Sequence, residues 1–154
     1  MEVLHMSEVI MDPARIMEEY NMLWKEQNEI YSAAAKRFGL SDSAMWILYF
    51  IRLSGGSCSQ RYICSAMLQP KQTTNSAIKQ LESRGFVELT CENDRRCRLV
   101  KLTPDGEKLA QQSSDHVITA ERLAMGDLTS AEQRQFIELL RKYNNNLKER
   151  LNIK

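Results

Sequence analysis

The stretch "SCSQRYICSAMLQPKQTTNSAIKQLESRGF", residues 57–86, holds two helical patterns separated by a tight break. A short helix capped by Ser57 or Ser59 carries Ile63, Ala66 and Met67. Leu68-Gln69 interrupts it, Pro70 opens a second helix at its first position, and Gly85 ends that helix. Two helices joined by so short a turn form a helix-turn-helix unit. In the second helix Thr74, Ala77, Ile78 and Leu81 recur at i, i+3, i+4 and i+7, which predicts an inward face. Gln72, Asn75, Ser76 and Lys79 form the opposite face, all hydrogen-bonding and none apolar. Most polar helix faces simply meet water, so the neighbouring sequence has to decide what this one does.

Immediately beyond lie two short strand patterns, Phe86-Val87-Glu88-Leu89-Thr90 and Arg98-Leu99-Val100-Lys101-Leu102, joined by a hairpin whose tip is Asn93-Asp94-Arg95-Arg96. The whole chain has a formal net charge of only +1, yet between Arg61 and Lys108 nine Lys/Arg face six Asp/Glu, so the middle third is net +3. Positive charge collects at this hairpin. If the polar face of the 70–84 helix enters a major groove, the hairpin reaches the neighbouring minor groove, a narrow and strongly negative slot suited to a guanidinium. Arg95 or Arg96 would insert, Asp94 could orient one of them, and Arg98 and Lys101 would lie closer to phosphates.

Upstream, Asp12-Pro13 is a helix start, and Ile16, Tyr20, Leu23, Trp24, Gln27, Tyr31 and Ala34 follow at helical spacing up to Arg37 or Phe38, with Gly39 as the stop. That helix is longer than a small domain needs, which predicts that part of it projects into a partner. Ser41-Asp42 then opens the apolar run "SAMWILYFIRL", bounded by Gly55-Gly56, a central helix expected to be the hydrophobic hub. Downstream, Thr103-Pro104 opens a helix running through Met125, Gly126-Asp127 breaks it, and Thr129-Ser130-Ala131-Glu132 is a capping box for a last helix. Its apolar stripe is Phe136, Leu139, Leu140, Tyr143, Leu147 and Leu151.

At this point the residues resemble a family. Asp94-Arg95-Arg96, five residues, Leu102-Thr103, two residues and Gly106 reproduce the D-x-R-x5-L-T-x-x-G wing signature of MarR-type winged helix-turn-helix transcriptional regulators. "QPKQTTNSAIKQLESRGFVEL" looks like that family's recognition helix leading into its first wing strand. The resemblance covers essentially the whole chain. It implies a mainly helical fold with a small β-hairpin wing, in which residues 41–103 form the DNA-binding module and residues 12–38 and 104–154 a helical dimerisation region. It implies a homodimer on a pseudo-palindromic operator in double-stranded DNA, repressing by occluding a promoter. Carried over by motif, Arg96 is the wing-tip arginine, with Arg95 beside it, Asp94 orienting it and Arg98 nearer the backbone. Gln72, Asn75, Ser76 and Lys79 face bases, and Lys71 and Thr73 lie nearer phosphate. Asn75 or Gln72 suits adenine, and Lys79 suits guanine or phosphate.

Family members commonly respond to small aromatic or phenolic ligands bound between the two regions. Tyr20, Trp24, Met45, Trp46 and Tyr49 are the candidates to line such a pocket, although residues of these types are more often plain core. The peroxide-sensing members usually carry a reactive cysteine near the start of the first helix, whereas the four cysteines here are Cys58, Cys64, Cys91 and Cys97. Inert thiols are the expectation for all four. A thiol-based redox regulator is one rival reading, and a winged-helix protein-interaction module is another.

Composition narrows the other classes. With 154 residues, 43% apolar and 27% charged, the chain is of one-domain size with an ordered composition. Neither a signal-peptide pattern nor a run of roughly 18 apolar residues is seen, which predicts a cytoplasmic protein free of the membrane with reduced thiols. Two histidines, His5 and His116, lack zinc-like spacing, so no metal or other cofactor is expected. No nucleophile–base grouping or phosphate-cradling glycine loop stands out, and an enzyme is not expected.

Overall fold

A computed structural model describes residues 12–91 and 98–153. The long first helix, α1 (Pro13–Arg37), begins where the Asp12 carboxylate accepts from the Ala14 N–H at 3.1 Å. It ends at Gly39, whose φ of +68° turns the chain so that the Leu40 N–H reaches Ala35 O. The apolar run is α2 (Asp42–Leu53), capped by Ser41, with Ala44, Met45, Ile47, Leu48 and Ile51 buried. It is the hub: helices and strands from both sides pack on it, and Ile47, Leu48 and Ile51 are among the largest fully buried side chains.

Next come β1 (Ser57–Ser59), α3 (Gln60–Ala66) and α4 (Lys71–Ser83), followed by the hairpin strands β2 (Val87–Cys91) and β3 (Arg98–Leu102). The sheet has three strands in the order β1-β3-β2, all antiparallel, with Val100 opposite both Cys58 and Leu89. Two strands are expected from the sequence, so β1 is an addition. Three residues carry no readable period, and Ser59 still caps α3 by accepting from the Tyr62 N–H at 3.1 Å. Pro70 also differs from expectation: with ψ of 138° it is the N-cap residue of α4, and Lys71 is the first helical residue.

The remaining helices are α5 (Pro104–Gln112), α6 (Ser114–Gly126) and α7 (Ser130–Arg150). The sequence pattern predicts one helix where α5 and α6 stand. Ser113 breaks it at φ −129° and ψ −85°, with its hydroxyl donating to Leu109 O at 2.6 Å and that of Ser114 to Ala110 O at 3.3 Å. Paired serine hydroxyls offer the backbone an alternative to the helical ladder, and both residues are buried at the bend. The capping box of α7 forms as expected: Glu132 accepts from the Thr129 N–H at 2.7 Å, and Thr129 accepts from the Glu132 N–H at 3.3 Å.

The second half of the wing signature has a packing reason. Leu102 is buried, and the Thr103 hydroxyl both donates to Gly85 O at 2.6 Å and accepts from the Gly106 N–H at 3.0 Å. A Cβ on Gly106 would lie 1.8 Å from Phe86 O. Only glycine lets the start of α5 press against the end of the α4–β2 turn.

Candidate nucleic-acid interface

The inward face of α4 is as its spacing predicts: Thr74, Ala77, Ile78 and Leu81 are buried. That anchoring leaves Lys71, Gln72, Thr73, Ser76 and Lys79 exposed and Asn75 half-buried. Lys71, Gln72, Asn75, Ser76 and Lys79 line one shallow groove along the helix. Lys71 and Lys79 form no ion pair among the described residues, so their charge stays available.

Two of these side chains are already oriented. The Ser76 hydroxyl donates to Gln72 O at 2.9 Å, which leaves its oxygen lone pairs as the group it can offer outward. The Asn75 oxygen accepts from Gln60 Nε2 at 2.8 Å and from Cys64 Sγ at 3.4 Å. Both partners come from α3, so the first helix of the pair fixes which way the asparagine amide points. Its N–H groups carry no protein hydrogen bond among the described residues, which suits Asn75 to an acceptor in the groove. Neither Gln60 nor the contact of Cys64 with Asn75 is foreseen from the sequence, because a side-chain contact between neighbouring helices has no signature in spacing alone.

The wing is attached beside this face. Cys91 pairs with Arg98 at the end of the β2–β3 ladder, so the two attachment points of residues 92–97 are neighbours. Asp94, Arg95 and Arg96 lie outside the described residues, as does Cys97. Arg98 and Lys101 are exposed on β3, and Lys101 sits opposite both Ser57 and Glu88.

Behind the interface, α2 is tied to the following helices by charge. Arg52 donates from Nε and Nη2 to the two oxygens of Asp115 at 2.8 and 2.6 Å, and from Nη1 to Glu107 at 2.5 Å. The hydrogen bond to Asp115, more than the charges of the two acids, holds the guanidinium protonated. Farther along α6, Glu121 accepts from Tyr31 and Tyr49, each at 2.7 Å, and so joins α1 to α2. Burial, reinforced by Glu121, pushes the Tyr31 hydroxyl up to about 12 and raises that of Tyr49 as well.

The five residues proposed for an effector pocket do not converge. Trp46 and Tyr49 are together, 5.1 Å between ring centroids, and Tyr31 joins them 4.9 Å from Trp46. Met45 is buried in the core. Tyr20 packs 5.6 Å from Tyr143, and Trp24 is exposed on α1. Of the cysteines, Cys58 is buried in the core and burial raises its thiol, which disfavours the reactive thiolate, while Cys64 is held against Asn75. The side chains of Cys91 and Cys97 lie outside the described residues. Among the described residues no cluster of His, Cys, Asp or Glu could hold a metal ion, and no helix is long and apolar enough to cross a membrane.

Comparison with known proteins agrees with this geometry. Residues 38–96 match the MarR family. The HTH-type transcriptional regulator YwoH of Bacillus subtilis, itself uncharacterised, is 27% identical over 129 residues, 84% of this chain and 90% of that protein. AbsC, a MarR family transcriptional regulator from Streptomyces coelicolor, shares the fold with a TM-score of 0.66 at 23% identity, over 88% of this chain and 91% of AbsC. MepR of S. aureus, solved as a complex with DNA, has a TM-score of 0.66 at 18% identity, over 84% of this chain and 96% of MepR.

Proposed function

We propose that the chain is a MarR-type winged helix-turn-helix transcriptional regulator, a reading supported by the family match over residues 38–96 and the likeness to YwoH, and that it is a homodimeric repressor that reads a pseudo-palindromic operator with α4 and its wing. One observation carries the reading. The outward face of α4 is free of apolar side chains and presents two lysines that form no ion pair among the described residues, and β3 adds the exposed Arg98 and Lys101. The fold is shared with a protein solved on DNA, the MepR of S. aureus.

In this reading residues 41–103 are the DNA-binding module. Gln72, Asn75, Ser76 and Lys79 read base edges in the major groove, and Lys71, Thr73 and Arg98 position the backbone. Arg96, with Arg95 and Asp94, enters the minor groove. The segments 12–38 and 104–154 dimerise. Ile16, Met17 and Tyr20 of α1 meet Phe136, Leu139, Leu140 and Tyr143 of α7 in one open apolar patch, where the Tyr143 hydroxyl lies 3.5 Å from Met17 Sδ. A second copy that covers this patch sets two α4 helices about 34 Å apart, one helical turn of DNA. Repression then follows from occupying a promoter, and a small aromatic molecule tunes it.

The test is fluorescence anisotropy with DNA from the protein's own promoter region and an unrelated duplex, as a salt series. Preference for one sequence with a steep salt slope, about 0.9 per phosphate neutralised, is expected. A shallow slope without preference points instead to a protein-interaction module. Arg96→Ala should weaken binding about tenfold and leave the dimer intact, and unchanged affinity would remove the wing from the interface.

A further inference from the structure

Two side-chain amides share the outward face of α4, and the fold treats them differently. Gln72 is exposed, and its amide makes no protein hydrogen bond among the described residues. Asn75 is half-buried, and its Oδ1 accepts from Gln60 Nε2 at 2.8 Å and from the Cys64 thiol at 3.4 Å. A carbonyl oxygen has two lone pairs, so these two donors on α3 occupy the acceptor end of the Asn75 amide. The two ends of an amide are told apart by their partners, and a thiol that donates at one end marks it as oxygen. What Asn75 keeps for the groove is Nδ2, with donors and no acceptor.

That difference decides what each amide can read. Adenine presents the N7 acceptor beside the N6 donor, and pairing with both takes the donor and the acceptor of one amide together. Gln72 has both ends to offer. Asn75 has donors only, so neither the N6 group of adenine nor the N4 group of cytosine finds an acceptor on it. Guanine suits it best, because N7 and O6 are adjacent acceptors, whereas thymine offers O4 alone. By residue type Asn75 and Gln72 are equal candidates for adenine, and the packing of α3 on α4 separates them.

We infer that Gln60, which does not line the α4 groove, is a positioning residue that makes Asn75 a donor-only reader and so selects guanine over adenine at the operator position Asn75 faces. The inference rests on the operator reading above, since a base preference requires α4 to lie in the groove.

The experiment uses the full chain and a library of randomised duplexes. Sequences bound by the unaltered protein are compared with those bound by Asn75→Ala, and the position whose preference that variant loses is the one Asn75 reads. Guanine is expected there. Two duplexes that differ only by guanine or adenine at that position, in both half-sites, then serve as probes in fluorescence anisotropy. The unaltered protein should bind the guanine duplex at least about fivefold more tightly. Gln60→Ala combined with Cys64→Ala releases the acceptor end of Asn75, and the ratio should fall to about one or below. Gln60→Glu goes further. Its carboxylate only accepts, so the Asn75 amide turns over to donate to it, Oδ1 faces the groove, and the ratio should invert in favour of adenine. The added charge, or any loosening of α3 against α4, weakens both duplexes alike and leaves the ratio unmoved.

Any base other than guanine enriched at the Asn75 position overturns the inference. A ratio that neither α3 variant moves overturns it too, as does an Asn75→Ala selection identical to that of the unaltered protein, while the operator reading survives all three. A library from which the unaltered protein enriches no sequence sinks the operator reading and this inference with it.

Discussion

Ile47, Leu48 and Ile51 on α2 are fully buried, whereas Phe136, Leu139 and Leu147 on α7 are 51%, 56% and 41% exposed. Both helices carry apolar residues at helical spacing, and only one has found its partner within the chain. The core around α2 closes within the chain, with Ala35 of α1, Ala110 of α5 and Val117 of α6 joining the buried residues of the winged module and its three-stranded sheet. By contrast α7 has no buried residue along its length, and its stripe meets α1 in an open patch. Exposed apolar area costs roughly 25 cal/mol per Å², so a contiguous stripe of this kind calls for cover. The contrast separates a helix whose apolar face is closed within the chain from a pair of helices whose apolar faces stay open to solvent.

The sharpest way to break the first half of that contrast is Gly106→Ala. The new methyl would sit 1.8 Å from Phe86 O, a backbone atom that cannot rotate away. A loss of about 3 kcal/mol is expected, because the strand–helix junction must shift as a unit. Chemical unfolding of the full chain measures it. A loss under about 0.5 kcal/mol would mean that the junction is pliable and that the glycine of the wing signature is not there for packing.

For the second half, Leu140→Asp places a charge in the middle of the α1–α7 patch. Dimer affinity should fall by about 2 kcal/mol or more, roughly 30-fold or beyond. Sedimentation of the variant reads the shift to monomer, and far-ultraviolet circular dichroism checks that α7 remains helical. An unchanged dimer would place the interface elsewhere and leave the stripe without its explanation.

Between the two regions lies Arg52, whose guanidinium joins α2 to Glu107 on α5 and Asp115 on α6. Arg52→Ala is expected to cost about 1–2 kcal/mol, less than a fully buried ion pair because the site is partly open to solvent and therefore screened. Arg52→Lys should recover only part of it, since lysine cannot make the paired contact with Asp115. The same unfolding measurement applies, and full recovery by lysine would reduce the contact to simple charge attraction.

These regions were unequally legible in the sequence, for physical reasons that particular residues illustrate. Asp12-Pro13, Gly39 and the Thr129/Glu132 pair are local stop and start signals, and the helices they bound begin and end where those signals stand. The faces of α4 were legible because burial follows helical period. Partnerships over distance were not. Arg52 meets Asp115 across 63 residues, and Asn75 meets Gln60 only because α3 and α4 pack together. The bend at Ser113 was hidden because serine is compatible with a helix, and its departure depends on a hydroxyl finding a carbonyl. The aromatic candidates failed to converge for a related reason: a large apolar side chain looks the same in a core, at an interface or beside a cavity. Met45 is in the core, Tyr20 in the open apolar patch between α1 and α7, and Trp46 beside a cavity.

The smallest expected effect concerns the second tie between the regions, Glu121 with Tyr31 and Tyr49. Tyr31→Phe and Tyr49→Phe should each cost about 0.5–1.5 kcal/mol. The double variant should cost more than their sum, because the second removal takes the last phenol from the carboxylate. An additive result would mean that water already serves Glu121. Burial first, and Glu121 second, lift the Tyr31 hydroxyl to about 12 in the folded chain. In the unfolded chain it titrates near pH 10. The folded state therefore holds its proton more tightly, and the stability this gives is complete below about pH 10 and is lost as pH rises towards about 12. Tyr49 shifts in the same direction for the same causes. Unfolding midpoints should fall across that window in the unaltered protein and fall less steeply in either phenylalanine variant. Equal slopes in all three would show that the phenols are not what joins α1, α2 and α6, and would leave Arg52 as the principal polar tie between the winged module and α6.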